Sequence, residues 1–127
     1  MRILVVDDNR DILELIQRVL QTYGHDVVIA RDGLEALQQE ANAQPDLVVL
    51  DVNLPALDGW EVCRRIKARR DVPVMLLTVR AERADLERSR AAGANDHLPK
   101  PFDIADFLNH IDRLAARPLP PHPGASV

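Results

Sequence analysis

DLVVLDVNLP, residues 46–55, decides the fold: four consecutive apolar residues, Leu47 to Leu50, run straight into an ionisable Asp51. A short apolar run followed by turn-forming residues reads as a strand buried on both faces, and such strands belong to parallel sheets covered by helices. A carboxylate at the mouth of that run is costly to desolvate unless another group compensates it. Outward from this stretch the pattern repeats in RILVV (2–6), DVVIA (26–30) and VPVMLL (72–77), with DHL (96–98) as a fifth, weaker strand. Between them Ile12, Ile16, Val19, Leu20 and Tyr23 recur at helical spacing, as do Ile104, Phe107, Leu108, Ile111 and Leu114. Asp32 with Glu35, and Asp58 with Glu61, each put an acid at a helix N-cap and a glutamate three residues on. Five strand–helix units predict the α/β class: a doubly wound, five-stranded parallel sheet with helices on both faces.

Composition bounds the rest. A chain of 127 residues, 46% hydrophobic and 28% charged, suits one domain able to bury a core without metals or disulfides. No apolar stretch approaches the ~18 residues of a membrane span, and the N-terminus enters a strand with no signal-peptide core, so a cytoplasmic protein is expected. A formal net charge of −4 argues against direct nucleic-acid binding, which wants a basic face. The single Cys63 falls in a helix and is expected to be a small buried side chain. His25, His110 and His122 are scattered and form no metal-ligand pattern. After residue 116, RPLPPHPGASV (117–127) holds four prolines in eleven residues and reads as an extended tail or the start of an interdomain linker.

Doubly wound sheets bind ligands at the carboxyl ends of their strands. There this sequence puts Asp7 and Asp8 after strand one, Asp51 after strand three, Thr78 after strand four and Lys100 after strand five. An acid behind a strand is ordinarily a helix cap, and a lone threonine or lysine is ordinarily surface. Their joint appearance after four strands is what points to a site. Three carboxylates against one ammonium leave a deficit that a divalent cation neutralises, and all-oxygen ligation favours a hard ion, Mg²⁺ above others. Lys100 carries a further mark: of 16 basic residues only Lys67 and Lys100 are lysines, so an amine stands where arginine is this chain's habit. Lys67, near the end of the third helix, is expected to be solvated surface.

ILVVDDN, DLVVLDVNLPALDGWEVCRRIK, VPVMLLT and GANDHLPKPF together resemble the receiver domain of bacterial two-component response regulators, in order and spacing, over roughly residues 2 to 116. The resemblance implies a flavodoxin-like sheet of order 2-1-3-4-5, a receiver domain over 1–116, and a phosphorylation-dependent signalling role rather than turnover of a substrate. Asp51 matches the aspartate that accepts a phosphoryl group from a sensor histidine kinase or phosphotransfer domain. Asp7, Asp8, Asp51 and the backbone carbonyl of Asn53 match the Mg²⁺ ligands. Thr78 matches the hydroxyl that meets a phosphoryl oxygen, and Lys100 matches the amine that pairs with the phosphoryl group or the carboxylate. The Lys100–Pro101 bond matches the family's cis peptide, and Pro99 suits the edge strand that this order makes of strand five.

The resemblance also exposes departures. His97 occupies the position of the family's aromatic switch partner of Thr78, and Val79 replaces the usual small residue after that threonine. Asn53 and Arg80 stand where the family tunes phosphoryl lifetime. A winged-helix type of homodimer uses charges on helix four, strand five and helix five; this chain keeps Arg88 and Asp96 but has Ala91, Asn95 and His110 at other charged positions. Two rivals come from different classes. A receiver-like interaction module would work without phosphorylation, and a Mg²⁺-dependent phosphohydrolase would want a second acid where this chain has Asn53.

Overall fold

The structure, a computed structural model, describes residues 1–79 and 83–116. Five strands, β1 (Arg2–Val6), β2 (Asp26–Ala30), β3 (Leu47–Asp51), β4 (Val74–Thr78) and β5 (Asp96–Pro99), alternate with α1 (Arg10–Thr22), α2 (Gly33–Ala43), α3 (Gly59–Arg69), α4 (Arg83–Ala91) and α5 (Ile104–Ala115). All pairings are parallel and the order is β2-β1-β3-β4-β5, the doubly wound arrangement expected from the sequence.

Burial follows the predicted patterns. β3 and β4 are buried at every residue, as near-continuous apolar runs in the middle of a two-faced sheet should be. One core lies between the sheet and α2 and α3, with Leu4, Val48, Leu50, Leu76, Val62 and Ile66. The other lies under α1 and α5, with Val5, Val49, Leu77, Ile16, Phe107 and Ile111. Asp32 accepts from the Glu35 amide at 2.8 Å and Asp58 from the Glu61 amide at 2.9 Å, so both predicted N-caps form. The Glu61 side chain pairs with Arg64 and Arg65.

Three local expectations are corrected. Tyr23 ends α1 as its C-cap and is 64% exposed, while Leu13 takes the place on the buried face. The ladder of β4 starts at Val74 rather than at residue 72: Pro73 accepts from Val48 through its carbonyl but has no N–H to give. Lys67 is not solvated surface. Its side chain is 16% exposed, and its ammonium donates to Asp71 at 3.1 Å, to the carbonyl of Val72 at 3.0 Å and to Asn95 Oδ1 at 2.9 Å. Asn95 Oδ1 also accepts the Val74 amide at 3.0 Å, so Lys67 ties α3 to the entrances of β4 and β5. Lys67→Met keeps the stem and removes the ammonium; a loss of about 1–2 kcal/mol is expected, read as a lower urea midpoint at unchanged slope. An unmoved midpoint would mean that the ammonium is only a surface group.

Candidate functional site

Strand ends build the site. Val6 pairs in register with Leu50, so Asp7 and Asp51 leave adjacent strands side by side. Asp7 is fully buried and Asp51 is 4% exposed, whereas Asp8 faces solvent. Backbone amides fix both buried carboxylates: Asn9 N–H donates to Asp7 Oδ1 at 2.9 Å, and Asn53 N–H to Asp51 Oδ1 at 3.2 Å. Asn9 at once caps α1 with its own side chain, accepting from the amides of Asp11 and Ile12. A helix start and the orientation of Asp7 are thus set by one residue.

From the other side Lys100 enters, 14% exposed at its side chain, its Nζ 2.9 Å from Asp7 Oδ2 and 3.4 Å from Asp51 Oδ2. Its backbone N–H donates to Thr78 O at 2.7 Å, and its peptide bond to Pro101 is cis. Pro99 closes β5 on the sheet edge, in register with Thr78. Thr78 is buried and stands one residue beyond Leu77, the register partner of Asp51.

Charge is unbalanced in this cluster. Carboxylate oxygens of Asp7, Asp8 and Asp51 lie within 4.8 Å of one another, and Lys100 is the ammonium that touches them. Burial, and after it the negative charge of Asp7, push the Asp51 carboxyl above its ordinary range; Lys100 and the Asn53 amide pull the other way without cancelling. Burial acts to lower Lys100, but its hydrogen bond to Asp7 and the charges of Asp51 and Asp7 outweigh that and hold it above its ordinary range. An all-oxygen donor set with surplus negative charge fits a hard divalent cation. Among the described residues it is the one group of three or more His, Cys, Asp or Glu side chains able to hold a metal.

The structure brings Asp7, Asp8, Asp51 and Lys100 together, with Thr78 at the adjoining strand end. Asn53 is exposed and follows Asp51 by two residues; Arg80 lies outside the described residues, as does His122. Val79 is 59% exposed and lines an apolar groove with Ile12, Leu15, Lys100 and Phe102. His97 is half-buried on β5. Arg88 and Asp96 are both engaged within the chain, Arg88 over the Trp60 ring and Asp96 by His110 Nδ1 and the His97 amide. Cys63 is buried as expected, its thiol pushed up to about 11 by desolvation, and Sγ meets Ala92 O at 3.5 Å.

Gly59 went unnoticed in the sequence as part of the site. It opens α3 directly on the backbone of Asp51: a Cβ there would stand 2.2 Å from Asp51 O and 2.7 Å from Val52 Cα. The signal available was a glycine at the first helical position, where a better helix former would ordinarily stand.

Known proteins resemble this chain in sequence and in fold. The family model for the response regulator receiver domain matches residues 3–112. The response regulator MprA of Mycobacterium leprae (strain TN) is 43% identical over 128 residues, covering 100% of this chain and 56% of its own. MprA of Mycobacterium sp. (strain KMS) is 45% identical over 120 residues, covering 94% and 52%. The chain therefore spans about half the length of the curated relatives it matches. Among solved structures, Vibrio cholerae CheY4 superposes with a TM-score of 0.85 at 30% identity, covering 89% of this chain and 97% of that one. The BeF3-activated N-terminal receiver domain of Klebsiella pneumoniae RstA gives 0.87 at 30%, covering 92% and 100%. With the sheet order, the acid cluster at its carboxyl edge and a family match over most of its length, the chain belongs to the response regulator receiver domains.

Proposed function

We propose that Asp51 is the phosphoacceptor of this receiver and that its phosphorylation, by a sensor histidine kinase or a histidine phosphotransfer domain, regulates an output through α4, β5 and α5. The observation that carries this reading is the joint geometry of Asp7, Asp8, Asp51 and Lys100, a pocket of surplus negative charge with one ammonium across it. In the transfer, an Asp51 carboxylate oxygen forms the new P–O bond as the P–N bond to the donor imidazole breaks. Lys100 meets the incoming negative charge, and the Thr78 hydroxyl donates to a phosphoryl oxygen. Asp7, Asp8, Asp51 and the backbone carbonyl of Asn53 would hold Mg²⁺. That ion, when bound, supplies positive charge against the phosphoryl oxygens. Thr78 and His97 are assigned to the switch.

The role proposed is signalling, with no chemistry beyond gain and loss of its own phosphoryl group. A receiver domain over 1–116 and a proline-rich tail or linker over 117–127 belong to the same proposal, the latter on composition alone. So does a cytoplasmic setting; no described helix is long and apolar enough to cross a membrane. A phosphorylation-dependent homodimer through α4, β5 and α5 would first have to release Arg88 and Asp96 from their partners inside the chain.

Incubation with acetyl phosphate and Mg²⁺, followed by intact mass and peptide mapping, tests the assignment. One phosphoryl group on the peptide that holds Asp51, lost when the metal is chelated, is the expected outcome. A folded chain that binds Mg²⁺ yet gains no mass would overturn it and leave the phosphorylation-independent interaction module. Steady turnover of a small phosphoester would favour the phosphohydrolase.

A further inference from the structure

α4 is fastened to the molecule by directed contacts rather than by an apolar face. In RADLERSRA (83–91) Leu86 is the only large apolar residue, and Ser89 is the only α4 residue that is buried. A helix so polar gains little from burial and depends on what grips it. One side chain of α3 does so twice. The Trp60 indole Nε1 donates to Ser89 Oγ at 3.0 Å, and Ser89 Oγ donates onward to Asp85 O at 3.0 Å within α4. The Arg88 guanidinium lies over the same indole, 4.1 Å from the ring centroid, in a cation–π contact. Beside this grip lies a cleft of about 220 Å³ lined by Trp60, Arg64, Arg88 and Ala91 among others.

The other end of the connection lies at the phosphoacceptor. Gly59, the residue before Trp60, donates its N–H to Val52 O at 2.9 Å and is so close to Asp51 that a Cβ would stand 2.2 Å from the Asp51 carbonyl oxygen. Any shift of the Asp51 backbone therefore meets the peptide on which the indole is mounted. We propose that Trp60 is a positioning residue that holds α4 on α3 in the resting protein and carries displacement at Asp51 to α4, so that phosphorylation loosens the Trp60–Ser89–Arg88 grip. The proposal rests on Asp51 being the phosphoacceptor and adds a route to α4 that runs through α3, separate from Thr78 and His97.

Trp60 is the chain's single tryptophan, so its emission reports on the grip directly. The test compares the native chain with Trp60→Phe and Ser89→Ala, each with and without beryllofluoride and Mg²⁺. Amide exchange over α4 and, where present, Trp60 emission are recorded, and intact mass after acetyl phosphate is measured in parallel. Without any phosphoryl mimic, each substitution is expected to speed α4 exchange about five- to tenfold, the loss of one hydrogen bond's worth of protection. In the native chain, beryllofluoride is expected to shift Trp60 emission to the red and to speed α4 exchange; in Trp60→Phe that added increment falls by at least half. An increment of native size in Trp60→Phe, or an emission that does not move while the native chain takes up phosphoryl mass, overturns the route alone. Absence of mass uptake in every chain overturns the phosphoacceptor assignment and the route with it.

Discussion

Asp51→Asn takes up no phosphoryl group from acetyl phosphate and, in metal-free buffer at pH 7, melts above the native chain. The first half follows from the loss of the only nucleophile assigned to the pocket, so intact mass should show a complete effect, not a reduced one. The second half has an independent cause. Asp51 is nearly buried, sits beside Asp7, and has its carboxyl pushed above its ordinary value of 3.8, first by burial and then by that charge. A carboxyl raised in the folded state makes that state bind more protons than the unfolded chain, between 3.8 and the raised value. Its contribution to stability therefore falls as pH rises through that window and is unfavourable at neutrality. Asparagine removes the charge and keeps one oxygen for the Asn53 amide; Lys100 loses the Asp51 oxygen it faces but retains its shorter bond to Asp7. The expected sign is a rise in Tm, each ~1 kcal/mol of relief corresponding to ~3–5 °C in a domain this size. Mg²⁺ should raise the Tm of the native chain, as any ligand of the folded state does, and raise that of Asp51→Asn less. A variant that melts below native in metal-free buffer would mean that the Asp51–Lys100 attraction outweighs desolvation and the Asp7 repulsion.

Most of the architecture was legible because strand burial writes itself into sequence. β1, β3 and β4 lie inside the sheet, so their apolar runs tolerate almost no polar residue until the chain emerges at the site. The abrupt appearance of Asp7, Asp51 and Thr78 at the exits of these strands, and of Lys100 after the edge strand β5, makes the candidate site visible in the sequence. What stayed hidden depends on contacts across the fold. Lys67 and Lys100 have the same logic, a compact ammonium with several acceptors, yet only Lys100 stood next to recognisable chemistry; the acceptors of Lys67 include Asn95, 28 residues away. Tyr23 and Leu13 both fit a helical period, and only the end of α1 at Thr22 decides which one is buried. Trp60 and Arg88 belong to different helices and could not be paired from spacing. Even the charges retained at Arg88 and Asp96 could not be known to be engaged within the chain.

The largest effect on stability is expected from Gly59→Ala. A methyl group at this position would lie 2.2 Å from Asp51 O, 2.7 Å from Val52 Cα and 2.9 Å from Asp51 C, all backbone atoms of a segment buried at the end of β3. No side-chain rotation can relieve such a contact, so α3 must withdraw from the strand or the strand must bend. Withdrawal breaks the Gly59 N–H bond to Val52 O and lifts Val62, Cys63 and Ile66 out of the core they share with Leu50 and Leu76. Overpacking of this kind costs about 3 kcal/mol or more, a fall in Tm of ~10 °C or beyond. Gly33→Ala is the control. Its Cβ would meet Leu57 O at 2.3 Å, Leu57 Cβ at 2.7 Å and Leu57 C at 3.0 Å; two of these are backbone atoms as well, but they belong to the half-buried β3–α3 connection and not to a buried strand end, so a smaller loss is expected. The two substitutions add the same methyl group at the first position of a helix, and helix propensity alone would favour both. Equal and small effects would show that α3 can slide off β3 at little cost. A large deficit confined to Gly59→Ala would show that the helix and the Asp51 backbone move as one body, the condition under which a change at Asp51 could be felt by α3 at all.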